Sequence, residues 1–524
     1  MKYRNLFVAT SLALVTNAAA FPTPSTPDSP TSDSPISDSA SIFVPIRTKT
    51  DTISASSSLH KRTDLTDYYS RDHPKHPCHG ITDEFKCDLT LSLWFFEAQK
   101  QGSLPADNRV WWAQNNTFLQ DGADVGVDLT GGFADAGDYI KYGLPGAYAT
   151  MMVAWGAVDY ALGYLNAGQA KYLFDTIKWG TDHIIKSHPK PDVFYHQVGI
   201  GDVDDDYWGR PLEDPFQART SLRVDATHAG SDVAAQASAA LYSAAIVFQS
   251  VNPTYAKTLL SHARSLLTFA DQYHGTYDQW NADPRAHYGS SDYNDELALA
   301  YAWSYRATGN KTDLACAETI WVDNDLGDND AAPGWDNKVP YVTSMLAVLT
   351  GKDVYHTSAE RYFNRIVTAP TRTVSNPTAS KYGMSKTPGG LLWFRYDSPP
   401  SLVNAMAASF AMAYYIDHGF PNTTYAAFSD GQLKYALGCN PNNINYMAAS
   451  NPTSPRNIHH PYSESSTVDD PAPNKYPLYG ALVGGPNVHD VYFDKRSNWA
   501  QSEPALDYNG PLTGLLARKV AQEF

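Results

Sequence analysis

Helical periodicity dominates this sequence and limits what it can fold into. Apolar residues recur at spacings of three and four along many segments, several of them rich in alanine, as on the buried face of a helix. The segments are Leu89 to about Lys100, Ala147–Leu165, Gln169–Ser187, Val233–Phe248, Tyr255–Tyr273, Asn294–Ala307, Val339–Leu349, Ser358–Ile366, Val403–Asp417, Tyr425–Leu437 and Leu512–Gln522. Strand-like alternation is scarce, so the sequence predicts an all-α fold with long loops.

The number of these helices restricts the architecture. Ten or more helices in one chain of this size suggest a closed ring of helical hairpins or a solenoid. We find no repeat of fixed period, which argues against an ordinary solenoid. Asp88 is the expected N-cap of the first helix. The hydrophobic content of 43% is sufficient for one large core.

The first residues have the pattern of a secretory leader. Lys2 and Arg4 precede a short apolar run that ends at Val15, and the small side chains of Ala18–Ala20 permit cleavage. The run is too short to cross a membrane, and no later stretch is apolar enough to do so. We therefore expect residues 1–20 to be a signal peptide and the protein to be secreted and extracellular, with no membrane partner.

A second short segment follows the leader. Residues 21–62 are rich in Ser, Thr, Pro and Asp, a composition that cannot bury enough apolar surface to fold. The segment ends in Lys61-Arg62, a dibasic pair of the kind that secretory proteases cut. We expect a disordered propeptide, with the mature chain beginning near Thr63; the alternative is an unprocessed linker. The remaining residues, 63–524, are expected to form the folded domain.

Charge and cysteine content exclude some classes of partner. The formal net charge of −16 at pH 7 argues against binding nucleic acid, because phosphate recognition needs a basic surface. Cys78 and Cys87 are close enough in sequence to close a small disulfide loop, and no cysteine spacing suggests a zinc site. Three N-glycosylation acceptor patterns begin at Asn115, Asn310 and Asn422.

A glycine-rich loop carries the first pair of candidate acids. Gly131-Gly132 is followed by Asp135 and, after Gly137, by Asp138. Two nearby carboxylates can hold a water molecule by hydrogen bonds and let one of them act as a base. The alternative is a structural turn in which the Asp side chains accept backbone N–H groups, and for an isolated pair of this spacing that alternative is the usual one.

Glu503 is the second candidate. It precedes Pro504 and lies between the aromatic residues Trp499 and Tyr508. An apolar environment raises the pKa of a carboxyl group because it disfavours the anion, and a general acid needs such a pKa. The alternative is a glutamate placed near a helix N-terminus because the helix dipole favours it there.

A histidine loop is the third motif. In Pro455–His460, His459 can donate a hydrogen bond to a sugar hydroxyl, although a structural hydrogen bond is more common for any single histidine. The chain also has 34 tyrosines and 12 tryptophans. Most of these rings serve core packing, but exposed flat rings can stack on pyranose faces.

Together these motifs resemble the catalytic module of glycoside hydrolase family nine, over Leu89 to Val520. The matching segments are Leu104-Pro105, Arg109, Trp111-Trp112, Asp121–Asp124 through Asp138–Lys141, Tyr435–Gly438 with Asn440-Pro441, and Tyr479–Pro486 leading to Asp494 and Glu503. The resemblance implies an (α/α)6 toroid, which is a barrel of six helical hairpins whose long loops form the substrate cleft.

The resemblance also implies an activity and roles for individual residues. It implies a secreted inverting endo-β-1,4-glucanase that hydrolyses cellulose or a related β-glucan, and we expect it to act as a monomer. Glu503 would protonate the leaving oxygen, and Asp138 would deprotonate the attacking water with the help of Asp135. An inverting pair stands roughly 6.5–9.5 Å apart. Asp494 would orient groups around the acid.

Further residues would contact the substrate. The resemblance implies that His459 and Tyr508 touch the sugar beside the cut. Candidate stacking rings are Trp208, Trp335 and Trp393. Some relatives hold a structural calcium with an acid like Asp295, but companion acids are not evident near Val251-Asn252. We therefore predict no metal and no other cofactor.

The sequence departs from the family pattern at several sugar contacts. Pro461 stands where the family usually has arginine, Asp205 stands where it has histidine, and Ser398–Asn404 has no clear counterpart of a conserved aromatic segment. The alternatives are therefore the same machinery acting on mixed-linkage glucan, xyloglucan or glucosamine oligomers, or a carbohydrate-binding protein that has lost catalysis. Retention of Asp135, Asp138 and Glu503 argues against the last of these.

Overall fold

The computed structural model describes residues 70–523 except 72, 205, 215–218, 373–382, 395–400 and 464–466. The predicted signal peptide and the segment 21–62 lie outside the described residues. The helices are α1 (Glu84–Ala98), α2 (Gly143–Asp159), α3 (Ala161–Asn166), α4 (Ala170–Ser187), α5 (Gly201–Asp204), α6 (Ser231–Phe248), α7 (Pro253–Gln272), α8 (Ala282–Tyr288), α9 (Asn294–Thr308), α10 (Lys311–Asp323), α11 (Val339–Thr350), α12 (Asp353–Val367), α13 (Ser401–Asp417), α14 (Thr423–Ala436), α15 (Trp499–Ser502) and α16 (Leu506–Gln522).

Within the described residues, twelve long helices form two concentric layers. The inner layer contains α2, α6, α9, α11, α13 and α16, which pack against one another in that order, and α16 packs back on α2 to close the ring. Outer helices alternate with them along the chain: α1, α4, α7, α10, α12 and α14. The expected (α/α)6 toroid is therefore confirmed.

The two layers differ in composition for a physical reason. Every residue of the inner helix α6 is buried, and its many alanines let neighbouring helices approach from several sides. The outer helix α7 buries one stripe, formed mainly by Leu259, Ala263 and Leu266, and exposes its other face. The Asn252 side chain accepts the Tyr255 N–H at 3.1 Å and so caps the N-terminus of α7.

Aromatic rings fill the centre of the toroid. The Trp155 ring on α2 makes edge contacts with Trp303 on α9 at 5.2 Å, and with Phe410 and Tyr414 on α13 at 5.4 and 5.0 Å between ring centroids. Edge-to-face packing of this kind is the favoured arrangement of buried rings. The inner helices are therefore joined through one continuous core.

Helix boundaries differ from the sequence prediction in several places. The N-cap of α1 is Asp83, which accepts the Lys86 N–H at 3.0 Å; Asp88 is buried inside the helix, so the prediction that Asp88 caps it was wrong. The predicted segment Ala147–Leu165 breaks at Tyr160, whose backbone leaves the helical region, so that α3 can turn onto α16.

Two further differences follow from weak local signals. Helix α10 was missed because it buries only Asp313, Ala317 and Trp321, a stripe too narrow to give a clear apolar period. Helix α16 begins at Leu506 rather than at Leu512, with Pro511 inside it. Pro511 is the sixth residue of this helix, and its missing N–H removes one helical hydrogen bond, the one that would go to the Asp507 carbonyl.

Two small antiparallel sheets accompany the helices. The first has the order β1 (Lys141–Tyr142), β2 (Val193–Val198) and β3 (Ser221–Asp225), and the second pairs β4 (Met384–Lys386) with β5 (Leu392–Phe394). Lys141 pairs with Val198, so β1 fixes the end of the glycine-rich loop.

Two chain-level features complete the description. Cys78 and Cys87 form a disulfide with 5.2 Å between their Cα atoms, as the small-loop prediction anticipated. Among the described residues, no helix combines the length and the apolar character needed to cross a bilayer.

Candidate active site

The glycine-rich loop is held by hydrogen bonds from Gln99, the residue that follows α1. The buried Gln99 side chain donates through Nε2 to the backbone oxygens of Ala136 at 2.6 Å and Asp135 at 3.2 Å. A Cβ on Gly137 would lie 2.5 Å from the His459 carbonyl oxygen, so only glycine permits this approach of the two loops. The first and third motifs are therefore in direct contact.

Asp135 lies at the bottom of this loop and is 1% exposed. The Tyr288 hydroxyl of α8 donates to its Oδ2, whereas Oδ1 has no hydrogen-bond partner among the described residues. Burial raises the pKa of Asp135 to about 7, although the Tyr288 hydrogen bond opposes this rise. Asp135 therefore retains a proton at mildly acidic pH.

Asp138 is partly exposed, and its Oδ1 accepts the Ala136 N–H at 3.2 Å. Burial of the carboxyl group raises its pKa well above the usual range, and the negative charges of Asp204, Asp135 and Glu503 raise it further. Because the Glu503 charge acts on Asp138, the two principal candidates share one site.

Glu503 lies between the single turn α15 and the helix α16. Its N–H donates to the Trp499 carbonyl at 2.9 Å, and its carbonyl accepts the Gly484 N–H at 3.1 Å. Three residues later, the Leu506 N–H donates to the Asp135 carbonyl at 3.0 Å. This hydrogen bond joins the acid-bearing segment to the glycine-rich loop.

The histidine loop is fixed to the same segment. The His459 N–H donates to the Ser502 carbonyl at 3.2 Å, and the ring Nδ1 lies 2.9 Å from the Arg496 carbonyl oxygen. A carbonyl can only accept, so Nδ1 carries the proton in this arrangement. Asp494 accepts the N–H groups of Arg456 and Asn457, each at 3.0 Å, and so holds the start of the same loop.

The predicted aromatic contacts are distributed unequally around the site. Trp208 makes an edge contact with His459 at 5.1 Å, and Trp335 makes one with Tyr288 at 4.9 Å between ring centroids. Trp335, Tyr288 and Tyr508 line an open cavity of about 520 Å³. Trp393 is only 8% exposed in β5, which leaves little ring surface for a ligand.

Sequence reasoning did not assign several residues that the fold brings to the site. Asp204 at the end of α5 accepts the Tyr139 N–H at 2.9 Å, directly beside Asp138. Tyr288 and Gln99 hold the loop, but neither lies in a motif that would have marked it. Trp499 on α15 is 60% exposed beside the acid. Only the run of acids at Asp204–Asp206 gave a signal in the sequence.

Comparisons with known proteins agree with this geometry. Residues 85–516 match the model of glycosyl hydrolase family 9. Endoglucanase B of Cellulomonas fimi is 39% identical over 450 residues, which are 83% of this chain but only 42% of that protein.

Solved structures show the same similarity. The endoglucanase of the termite Nasutitermes takasagoensis superposes with a TM-score of 0.79 at 38% identity, covering 85% of this chain and 100% of that one. The cellulase Cel9M of C. cellulolyticum, solved with cellobiose, has a TM-score of 0.77 at 30% identity, covering 84% of this chain and 100% of that one. The chain therefore belongs to glycosyl hydrolase family 9 and is a glycoside hydrolase.

Proposed function

We propose that this glycoside hydrolase is a secreted, inverting endo-β-1,4-glucanase acting on cellulose or a related β-glucan. The observation that supports it most directly is the site itself, in which Asp135, Asp138 and Glu503 interact electrostatically across loops joined by the Leu506–Asp135 hydrogen bond. Two carboxyl groups with different environments are the minimum needed for hydrolysis of a glycosidic bond.

The different environments of Asp138 and Asp135 support assigning the base to Asp138 and a helping role to Asp135. Asp138 is partly exposed, and a raised pKa makes its carboxylate a better proton acceptor for the attacking water. Asp135 is buried and held by Tyr288, so it is suited to orient that water rather than to receive its proton. Glu503 stands on the other segment and would protonate the leaving oxygen.

The substrate would lie along the open side of these carboxyl groups. In this proposal His459 and Tyr508 contact the sugar next to the cut. The ring contacts of Trp208 with His459 and of Trp335 with Tyr288 support a role for both tryptophans beside it. The similar Cel9M was solved with cellobiose, which is a β-1,4-linked glucose dimer. We propose the same class of substrate for this chain and a monomeric enzyme.

The test is to identify the product stereochemically. Purified enzyme acting on soluble β-1,4-glucan should release reducing ends, and proton NMR should show the α-anomer first, because one displacement inverts a β-linkage. The Glu503→Gln protein is the control for contaminating activity. Initial release of the β-anomer would contradict the inverting mechanism.

The choice among β-glycans is tested by comparing substrates. Parallel assays on carboxymethylcellulose, lichenan and chitosan oligomers measure the rate on glucose and glucosamine polymers. Asp204 beside Asp138 is the observation that favours an aminated sugar, since a carboxylate attracts an ammonium group. Its hydrogen bond to the Tyr139 N–H gives it a structural role instead, and we expect cellulose derivatives to be preferred.

A further inference from the structure

The connections between helices divide the toroid into two faces. Each outer helix is followed by a long connection to the next inner helix, and these connections carry the candidate active site: Asp138 precedes α2, Trp335 precedes α11 and Glu503 precedes α16. The connections from an inner to an outer helix are short, with residues 309–310 between α9 and α10 and residues 418–422 between α13 and α14. Short connections make neighbouring helices antiparallel, so the outer helices begin at the face opposite the candidate active site.

Two sequence motifs that the proposed chemistry does not use lie on that opposite face. Asn310-Lys311-Thr312 and Asn422-Thr423-Thr424 are acceptor patterns for N-glycosylation. Asn310 is the N-cap of α10, and Asn422 is the N-cap of α14. The third acceptor, Asn115, lies in the connection from α1 to α2 and therefore on the face of the candidate active site.

Both acceptor sites are accessible in the folded protein. Asn310 is exposed and Asn422 is partly exposed, and the last threonine of each pattern is exposed as well. A Cβ on Gly309, the residue before Asn310, would meet nothing within 4 Å, and the same holds for Gly419 in the connection from α13 to α14. The chain therefore borders open space in both connections, where a bulky, solvated oligosaccharide can be accommodated.

Helix capping and glycosylation use different atoms of these asparagines. The Oδ1 atom of Asn310 accepts the Thr312 N–H at 3.1 Å. The Oδ1 atom of Asn422 accepts the N–H groups of Thr424 and Tyr425 at 3.0 and 3.2 Å. An oligosaccharide is attached through the amide nitrogen Nδ2, so each Oδ1 atom can continue to cap its helix in the modified protein.

We propose that Asn310 and Asn422 are N-glycosylated, and that their glycans cover the face opposite the candidate active site and leave that site open to a polymeric substrate. In this reaction Nδ2 attacks C1 of the first sugar of a lipid-linked oligosaccharide diphosphate. The N–C1 bond forms, the bond from C1 to the diphosphate oxygen breaks, the lipid diphosphate leaves, and one Nδ2 proton passes to solvent. The inference rests on entry into the secretory route, which is part of the proposed function.

The chain contains a matched site that should stay unmodified. Asn252 is exposed and caps the outer helix α7 on the same face, and Thr254 follows it at the acceptor spacing. Pro253 stands between them, and a proline at this position prevents glycosylation. Asn252 should therefore carry no glycan in the wild type, whereas Pro253→Lys reproduces the pattern at Asn310 and should add one.

The test is a mass-spectrometric map of each site in protein from a secreting eukaryotic host. The full chain is expressed behind the host's own leader, so that entry into the secretory route does not depend on residues 1–20. Peptide-N-glycosidase converts each glycosylated asparagine to aspartate. The map should show this conversion at positions 310 and 422 and not at position 252.

Two substitutions separate the glycan from the helix cap. Thr312→Val and Thr424→Val remove the acceptor pattern but keep the capping asparagine, so each should lose the mass of one oligosaccharide. The double variant should hydrolyse carboxymethylcellulose with the kcat/KM of the wild type, because both sites face away from the candidate active site.

Three results would overturn the inference. One is an unmodified Asn310 or Asn422 in the secreted wild type. Another is conversion at position 252 in the wild type, or no conversion there in Pro253→Lys. The third is a changed kcat/KM in the double variant at an unchanged unfolding temperature, which would place a glycan beside the substrate. If both glycans were present but the protein cut no β-1,4-glucan, the proposed function would fail and this inference would stand.

Discussion

Asp135 and Asp138 are three residues apart, but their environments differ. Asp135 is 1% exposed and accepts the Tyr288 hydroxyl, whereas Asp138 is partly exposed and accepts a backbone N–H. The charge of Glu503 acts on Asp138 from the opposite segment. A side chain that water can reach is suited to accept a proton, and a buried one is suited to hold the water in place.

The assigned roles of acid and base predict different substrate dependence. Glu503→Gln cannot protonate a leaving group, so its activity on a polysaccharide should fall by about 10²–10⁴-fold. The loss should shrink on an aryl glycoside whose phenol leaves without a proton. Asp138→Asn should be severe on both substrates, because the attacking water is no longer activated. Steady-state rates on the two substrates measure this.

Both variants should remain folded, as circular dichroism would show, because an amide replaces a carboxyl group of the same size. The assignment would be reversed or wrong if Glu503→Gln lost the same factor on both substrates while Asp138→Asn spared one of them.

Substitution of Asp204 should change the dependence of kcat/KM on pH. Its negative charge raises the pKa of Asp138, so Asp204→Asn should lower that pKa. Because the base must be ionised, the acidic limb of kcat/KM should move to lower pH. Asp206→Asn is the control, since Asp206 is exposed. An acidic limb that stays in place in Asp204→Asn would disprove the electrostatic coupling.

At the scale of elements, the closure of the ring brings helices into close contact. A Cβ on Gly163 of α3 would lie 1.8 Å from the carbonyl oxygen of Ala517 on α16. The break at Tyr160 is what turns α3 into this position. The absence of a side chain at Gly163 is therefore a requirement of the packing of α3 on α16, the helix that follows Glu503.

Gly163→Ala should consequently destabilise the fold, by about 3 kcal/mol or more, because backbone must move to avoid the clash. Gly431 on the exposed face of α14 is the control: nothing lies within 4 Å of its added Cβ. Gly431→Ala should stabilise by roughly 0.5–1 kcal/mol through helix propensity. Denaturant unfolding of both variants measures the difference; destabilisation of equal size in both would contradict the packing argument.

At the scale of the whole molecule, the buried acids connect catalysis to stability. The pKa of Asp135 is about 7 in the folded protein and near 3.9 in an unfolded chain. The folded state therefore binds this proton more tightly. Its contribution to the free energy of unfolding is present below pH 4 and is lost as the pH rises from about 4 to 7.

Asp135→Asn should remove this pH dependence. At pH 7.5 the variant should unfold at a higher temperature than the wild type, and at pH 4 the difference should disappear. The effect is on the order of 1–4 kcal/mol, since one pKa unit corresponds to about 1.4 kcal/mol. Calorimetric scans at both pH values measure it. A lower unfolding temperature at both would mean that the Tyr288 hydrogen bond outweighs the burial of charge.

The composition of the N-terminal region predicts where the mature chain begins. Composition predicts that residues 21–62 do not contribute to the core, so a protein that begins at Thr63 should match the full chain in kcat and unfolding temperature. N-terminal sequencing of protein from a secreting host should begin near Thr63. A stable product that begins at Phe21 would refute the propeptide and favour the linker.

Local sequence was sufficient to predict many of the helices in the two layers. Segments such as α4 and α7 were predicted because one apolar stripe recurs with the helical period. Helix α10 was not predicted because its buried stripe is narrow. The N-cap of α1 was assigned to the wrong residue because Asp83 and Asp88 both fit the residue preference for that position. The N-cap is the residue whose backbone is not yet helical, and the residue type alone does not show which residue that is.

The sequence by itself determined the all-α class and the family, and it marked Asp135, Asp138 and Glu503 as candidate acids, because periodicity and ordered motifs are properties of neighbouring residues. Tertiary structure alone decided which groups surround those acids. Tyr288 and Asp204 come from different parts of the chain, and only the tertiary fold makes them neighbours of Asp135 and Asp138. A carboxyl group's pKa depends on burial and nearby charge, and both of these are set by contacts between residues far apart in sequence.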